Sequence, residues 1–471
     1  MKLHWIAAVP VSLVAAQVLG YDFSTQMVSL DQPRVNALVS RTPGGTPLED
    51  ATGTTFNIQA FFDTGASGIL LSRETAYVDD VNYFGLDIQK ATHNGQDVIF
   101  EDVGVGGSVP FNVSEPLYLS IAPYTPSADI DNPSTYNQVY NQQYGPVRTQ
   151  IGPLGPPNPM GSILGGLDVI GMPAFNGKVV VMDNRPVNTF LDTMRTYVYN
   201  PGTPFNPGQI ESDPGIVPTQ LSVRTSYVNV DRFTTITPTG APGPTLSENP
   251  FIGPNPFAPS RGRRDPTPPV TITYNGQTAK GSFLLDTGAA ASIISRDLAA
   301  GLGITYAPGS YGSETPELLG VPADEQFKLR IGGVGGEIVL SGFYLNSMLL
   351  KTEQGNVYDD NDPNHIRFLD AAVLVGDITV FDADDNFSYT LEGIFGMNFL
   401  TATAYFEEAT PFPIIADLRQ APFDFVVMDD PNRKLRFTLP GTTSPVVVPE
   451  PASLGLLALA GVALRRRRVN A

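Results

Sequence analysis

Between residues 55 and 62 apolar side chains recur at every second position, at Phe56, Ile58, Ala60 and Phe62. That is the period of a half-buried strand, and the run ends at Asp63. An alternating stretch over 270–274 is followed by Asn275-Gly276 and a second run over 281–285. This predicts a hairpin with an Asn-Gly turn. Ser295 is a good N-cap and Gly303 a stop, so a short helix is expected over 295–302. Residues 220–237 alternate well enough for strand. Residues 121–160 are rich in Pro, Tyr, Asn and Gln without periodicity, and are expected to form a long surface loop. The remainder reads as short strands and loops.

The pattern repeats. Residues 61–76 read FFDTGASGILLSRETA and residues 284–299 read LLDTGAAASIISRDLA, in register without a gap. Further along, Val103-Gly104-Val105-Gly106-Gly107 echoes Gly332-Gly333-Val334-Gly335-Gly336. Ser162-Ile163-Leu164-Gly165-Gly166 echoes Gly393-Ile394-Phe395-Gly396-Met397, and Val180-Val181-Met182-Asp183 echoes Val426-Val427-Met428-Asp429. Paired motifs in one order predict two homologous lobes, 21–200 and 270–440. The stretch 201–269 between them is rich in proline, which disfavours helix and central strand, so it is expected to be a connector. Within it Arg261-Gly262-Arg263-Arg264 is read as a solvated charge cluster, with a processing site as the alternative.

Composition narrows the chemistry. The 471 residues include 46 glycines and 43 prolines, with 42% hydrophobic and 16% charged residues, which suits a turn-rich all-β protein with a sizeable core. A net charge of −19 would repel phosphates, so nucleic acid is not an expected partner. With no cysteine there are no disulfides, thiolate nucleophiles or cysteine-bound metals. The three histidines are His4, His93 and His365. A His-rich metal site is not expected, nor is any cofactor. Asp359-Asp360-Asn361-Asp362-Pro363-Asn364 and Asp382-Ala383-Asp384-Asp385-Asn386 are acidic enough for Ca²⁺ but lack EF-hand spacing, and solvated turns are the preferred reading.

Both ends have the form of processing segments. Residues 1–20 carry Lys2, an apolar stretch over 6–19 and small residues at Ala15, Ala16 and Gly20, which reads as a secretory signal; cleavage before Gln17 and before Tyr21 both fit. At the other end Val448-Pro449-Glu450-Pro451 precedes an apolar run over 452–464 and four arginines, Arg465 to Arg468. The run is short for a membrane span of about 20 residues, and the arginines favour the cytoplasmic side. This segment, 446–471, resembles the PEP-CTERM sorting signal. The resemblance implies a Gram-negative bacterium, processing by an exosortase, a transient membrane anchor, and delivery to the cell surface or extracellular matrix.

An aspartate at a strand end followed by Thr-Gly presents a carboxylate compactly. Two such units related by a pseudo-twofold axis bring two carboxylates together, where one proton is shared between them. The ionised member can take a proton from water and the protonated member can bond a scissile carbonyl. Asp63-Thr64-Gly65 and Asp286-Thr287-Gly288, each followed by a Gly-rich segment and a later apolar-apolar-Gly, resemble the retropepsin and pepsin families of aspartic proteases. The resemblance covers about 50–440 outside the connector and insertions. It implies two pepsin/retropepsin-like β-barrel lobes with few short helices. It also implies Asp63 and Asp286 as catalytic residues supported by Thr64, Gly65, Thr287 and Gly288. Gly104, Val105, Gly106, Gly107, Gly333, Val334, Gly335 and Gly336 become flap candidates. Residues 101–110 contain no tyrosine, unlike a pepsin flap, so both lobes look retropepsin-like, as if a homodimer had been fused into one chain. The expected function is an exported aspartic endopeptidase acting on polypeptides from a single-chain, monomeric site. The alternative is a non-catalytic surface or matrix protein that keeps the fold and binds peptides.

Overall fold

The computed structural model describes residues 21–66, 68–78, 85–93, 95–104, 107–124, 142–152, 167–189, 192–201, 220–228, 236–238, 265–333, 336–382, 387–407 and 414–440. It is all-β apart from short helices, with two β-rich lobes joined by a shared sheet. In the N-terminal lobe the strand Arg34–Ser40 lies antiparallel between Ile58–Asp63 and Leu117–Pro123. The sheet continues through Val169–Gly171, Ile69–Leu71, Gln150–Ile151 and Gly107–Val113 to Gln96–Gly104. The expected alternation holds: Ile58, Ala60 and Phe62 are buried, whereas Gln59 is exposed.

In the C-terminal lobe Pro269–Tyr274 and Gln277–Ser282 form the expected hairpin. Asn275 and Gly276 at its turn have φ of 46° and 81°, the left-handed pair that matches the right-handed twist of the strands. The sheet passes through Gly336–Leu350 and Ile366–Val375 to Ile293–Ile294, Gly393–Phe395 and Leu284–Leu285. The helix Arg296–Gly301 is capped as expected, Ser295 Oγ accepting from Leu298 N at 3.1 Å. Its twin Arg73–Ala76 is capped by Ser72, which accepts from Thr75 N at 3.1 Å.

The shared sheet runs in the order Arg195–Tyr199, Val179–Asp183, Phe425–Asp429, Lys434–Thr438, Leu221–Arg224. Its second and third strands are the echoed Val-Val-Met-Asp segments, and they pair with each other. Val181 faces Val427, with Val180 opposite Met428 and Met182 opposite Val426. An antiparallel pair centred on equivalent residues is what a twofold axis through that pair requires. Every residue of Val179–Asp183 and Phe425–Asp429 is buried, and β-branched side chains suit such a strand. One apolar core therefore runs from Phe62 and Phe175 through Val180, Met182, Val426 and Met428 to Phe395 and Phe399. The first described residues are shared as well. Tyr21–Ser24 lies parallel to Ile366–Val375, and Val28–Ser29 pairs with Thr403–Glu407, both in the C-terminal lobe.

Two sequence expectations need correction. Residues 121–160 are not simply a surface loop. Leu117–Pro123, Gln142–Val147 and Gln150–Ile151 are strands, and Tyr144, Val147 and Ile151 are buried. The pattern was hidden because Gln142 and Gln150 are buried too, so polarity does not mark the outer face here. The second correction concerns Ser162-Ile163-Leu164-Gly165-Gly166, read from the sequence as the echo of Gly393-Ile394-Phe395-Gly396-Met397. These residues lie outside the described ones, and the strand that pairs with Phe61–Asp63 is Val169–Gly171. Val169-Ile170-Gly171-Met172 is thus the counterpart of Ile394-Phe395-Gly396-Met397. A shared apolar-apolar-Gly-Met signature could have revealed it.

Candidate active site

The strand Ile58–Asp63 ends where the chain turns at Thr64-Gly65. Asp63 stabilises that turn through its side chain: Oδ1 accepts from Gly65 N at 2.7 Å and from Ala66 N at 3.1 Å. The second loop repeats this, with Asp286 Oδ1 accepting from Gly288 N at 3.0 Å. Short polar side chains that bond the backbone two residues on favour such turns. Behind each loop a parallel strand holds the aspartate in place. Gly171 pairs with Asp63, and Asp286 N donates to Phe395 O at 3.0 Å.

The two loops grip each other. Thr64 Oγ1 donates to Leu285 O at 2.6 Å and accepts from Thr287 N at 3.1 Å. Thr287 Oγ1 donates to Phe62 O at 2.6 Å and accepts from Thr64 N at 3.1 Å. Each hydroxyl uses donor and acceptor at once, and both threonines are fully buried. Serine could supply the same bonds, but the threonine methyl fills more of the dry junction. The glycines complete the fit. A Cβ added at Gly65 would come 2.5 Å from Asp286 Cγ, and one at Gly288 would come 2.4 Å from Asp63 Oδ2. Each carboxylate therefore packs on the opposite loop's glycine, and only a residue without a side chain fits there. Asp63 and Asp286 are both half-buried at the junction of the lobes.

The expected flap segments are hairpins. Gln96–Gly104 pairs with Gly107–Val113, closing at Gly104 opposite Gly107. Phe327–Gly333 pairs with Gly336–Leu350, closing at Gly333 opposite Gly336. Their tips, Val105-Gly106 and Val334-Gly335, lie outside the described residues, as do residues 1–20 and 446–471.

The other candidates fall elsewhere. His365 is buried: Nδ1 accepts from Thr352 N at 3.1 Å, and Nε2 lies 3.0 Å from Asn356 O, to which it donates. In the acidic turn Asp362 accepts from Asn356 N and Asn364 N, which holds its carboxyl below the usual range, and Asp360 is held down by Lys351. Residues 383–386 of the other acidic segment lie outside the described ones. Among the described residues no three His, Cys, Asp or Glu side chains cluster as metal ligands. No described helix is long and apolar enough to cross a membrane. Sequence reasoning missed Gln32, whose amide donates to Gly288 O. No local signal marks it, since it lies 256 positions from its partner.

Comparison with known proteins falls on the second loop. Residues 270–316, with Asp286-Thr287-Gly288 inside them, match the aspartyl protease family. The matched segment starts in the hairpin 269–282 and extends past the helix Arg296–Gly301. Residues 447–468 match the PEP-CTERM protein-sorting motif, a signal of export and surface association in bacteria. No curated protein sequence matches the chain. Among solved structures the chain is similar to the aspartic proteinase of Irpex lacteus, at 13% identity over 89% of this chain and 99% of that one, with a TM-score of 0.34. Basic 7S globulin from soybean (9% identity, 86% and 95% covered, TM-score 0.32) and conglutin gamma from lupine seeds (9%, 86% and 95%, 0.36) are also similar. At these scores the similarity carries no inference about this chain.

Proposed function

We propose that the protein is an exported, surface-directed aspartic endopeptidase whose site is made by Asp63 and Asp286 within one chain. The reciprocal threonine grip carries this reading. It locks the loops in a twofold arrangement, with each carboxylate on the other loop's glycine. Ordinary turn aspartates have no need of such a junction. In the reaction one proton is held between the two acids, because adjacent carboxylates do not both ionise readily. The ionised member removes a proton from a water as that water attacks the scissile carbonyl carbon. The protonated member donates to the carbonyl oxygen, giving a neutral gem-diol. Collapse of that intermediate transfers a proton to the leaving nitrogen and breaks the C–N bond. Loop rigidity matters because no step requires the acids to move. The Gly-rich hairpins serve as flaps that admit an extended polypeptide and close over it.

The tail directs the body to the surface of a Gram-negative cell. There an exosortase recognises 446–471, with the apolar run as a transient anchor. Purified protein incubated with unstructured polypeptides should yield discrete fragments, and the rate per chain should not fall on dilution. No cleavage by wild-type protein across acid to neutral pH would end the enzymatic reading. Loss of activity on dilution would show that two chains are needed.

A further inference from the structure

The segment Asp31-Gln32-Pro33 touches both Asp-Thr-Gly loops. Pro33 O accepts from Phe62 N at 2.9 Å, one residue before Asp63. The Gln32 side-chain amide donates to Gly288 O, two residues after Asp286. A carbonyl can only accept, so the NH₂ end of Gln32 must face it. The segment is itself anchored. Asp31 accepts from Arg34 Nη1 at 2.8 Å and from Met194 N at 2.7 Å. Upstream, Ser29 N donates to Ala290 O at 2.8 Å and Leu30 N to Ala402 O at 2.8 Å, both in the C-terminal lobe. The chain thus crosses from one lobe to the other directly alongside the two loops.

We propose that Gln32 is a positioning residue for the dyad, holding the Gly288 peptide so that Asp286 keeps its orientation against Asp63. This rests on the peptidase reading above. Gly288 is fixed from three sides. Its N donates to Asp286 Oδ1, its Cα is packed against the Asp63 carboxylate, and its carbonyl is held by Gln32. The Gly288 carbonyl lies in the 288–289 peptide plane, whose other end, Ala289 N, donates to Asp286 O at 3.2 Å; releasing the carbonyl lets that plane tilt and loosens the turn that orients Asp286. The threonine grip fixes Thr287 but not the 288–289 peptide. The effect belongs in kcat rather than KM, because the dyad acts on the reacting carbonyl and not on the flanking substrate.

The test compares wild type, Gln32→Ala, Gln32→Glu and, as control, Gln26→Ala in hydrolysis of a quenched fluorescent peptide across pH, with melting temperature measured alongside. Gln26 anchors the same segment remote from the dyad, through Asp417 Oδ2 at 2.5 Å and Tyr344 OH at 3.0 Å. Gln32→Ala should lose on the order of tenfold in kcat, the size of one hydrogen bond, with KM little changed. Gln26→Ala should lower the melting temperature and leave kcat alone. Gln32→Glu discriminates further. An ionised carboxylate cannot donate to Gly288 O, but a protonated one can, so its activity relative to wild type should rise as pH falls through the carboxylate range. The neighbouring Asp31–Arg34 pair and the acids Asp63 and Asp286 are common to both proteins, so the ratio isolates residue 32. Wild-type kcat in Gln32→Ala, or a Gln32→Glu ratio flat with pH, overturns the proposal alone. Wild-type protein no more active than Asp286→Asn overturns the peptidase reading and this proposal with it.

Discussion

In the N-terminal half the helix Arg73–Ala76 rests on Asp168, which accepts from Ser72 N at 2.8 Å and from Thr75 Oγ1 at 2.7 Å. In the C-terminal half the helix Arg296–Gly301 rests on Asp377, which accepts from Arg296 N at 2.9 Å and pairs with the Arg296 guanidinium. The Arg296 guanidinium also lies 4.4 Å from the centre of the Tyr311 ring. The helix and its serine cap are duplicated, but the supporting carboxylate comes from a different place: Asp168 just precedes the strand Val169–Gly171, and Asp377 follows the strand Ile366–Val375. Asp168 is half-buried and binds hydroxyl and amide, whereas Asp377 pairs with the exposed Arg296. At the junction of the lobes, by contrast, the two halves match bond for bond, with the threonine hydroxyls at 2.6 Å and the amides at 3.1 Å on each side. Parts that contact each other across a twofold axis must stay alike, because a change in one loop leaves a buried group in the other without its partner. Parts that contact only their own lobe are free to diverge.

The largest expected effect tests the symmetry of the chemistry. Asp63→Asn and Asp286→Asn should each lower the rate of peptide hydrolysis on the order of a thousandfold or more, and the double variant should be little worse than either, since the acids act as a unit. Strongly unequal losses would break the equivalence of the two halves. The grip tests its structural counterpart. Thr64→Val and Thr287→Val each leave a buried carbonyl and amide unsatisfied and should cost about 1–3 kcal/mol of stability, measured by urea unfolding. The double variant should cost less than the sum, because each hydroxyl bonds the other threonine's backbone amide and the two losses are coupled.

Away from the junction the comparison should lose its symmetry. Ser72→Ala and Ser295→Ala each remove an N-cap worth about 1 kcal/mol. Ser72→Ala should cost more of the two, because Ser72 Oγ also bonds Thr75 Oγ1 at 3.1 Å beside the half-buried Asp168. Equal losses in thermal unfolding would argue against that network. The smallest effect is a pH dependence. Burial pushes the Asp168 carboxyl above its ordinary value of 3.8, with the hydrogen bonds from Thr75 and Ser72 only partly opposing this. The folded state then binds this proton more tightly than the unfolded chain. Its stabilising contribution is present below about pH 3.8 and is lost as pH rises through the raised value. Asp168→Asn should remove that part of the slope, so the stability difference between wild type and variant should change across this window and be flat above it.

Local pattern alone determined a good deal. Alternation specified the strand ending at Asp63, Asn275-Gly276 specified the hairpin, Ser295 and Gly303 bounded a helix, and the repeated Asp-Thr-Gly pointed to two lobes. Each of these depends on residues close in sequence, where backbone preference and side-chain chemistry act directly. The tertiary structure decided what depends on distant partners. It chose Val169–Gly171 as the strand behind Asp63, since strand pairing is settled by packing and not by motif order. It made strands of Gln142–Val147 and Gln150–Ile151, whose buried glutamines obscure the period. It joined the echoed Val-Val-Met-Asp segments to each other across the twofold axis, where the repeat alone indicated only two similar strands. It also carried Gln32 to Gly288, a contact no periodicity encodes, because residues 21–32 pack on the lobe completed last.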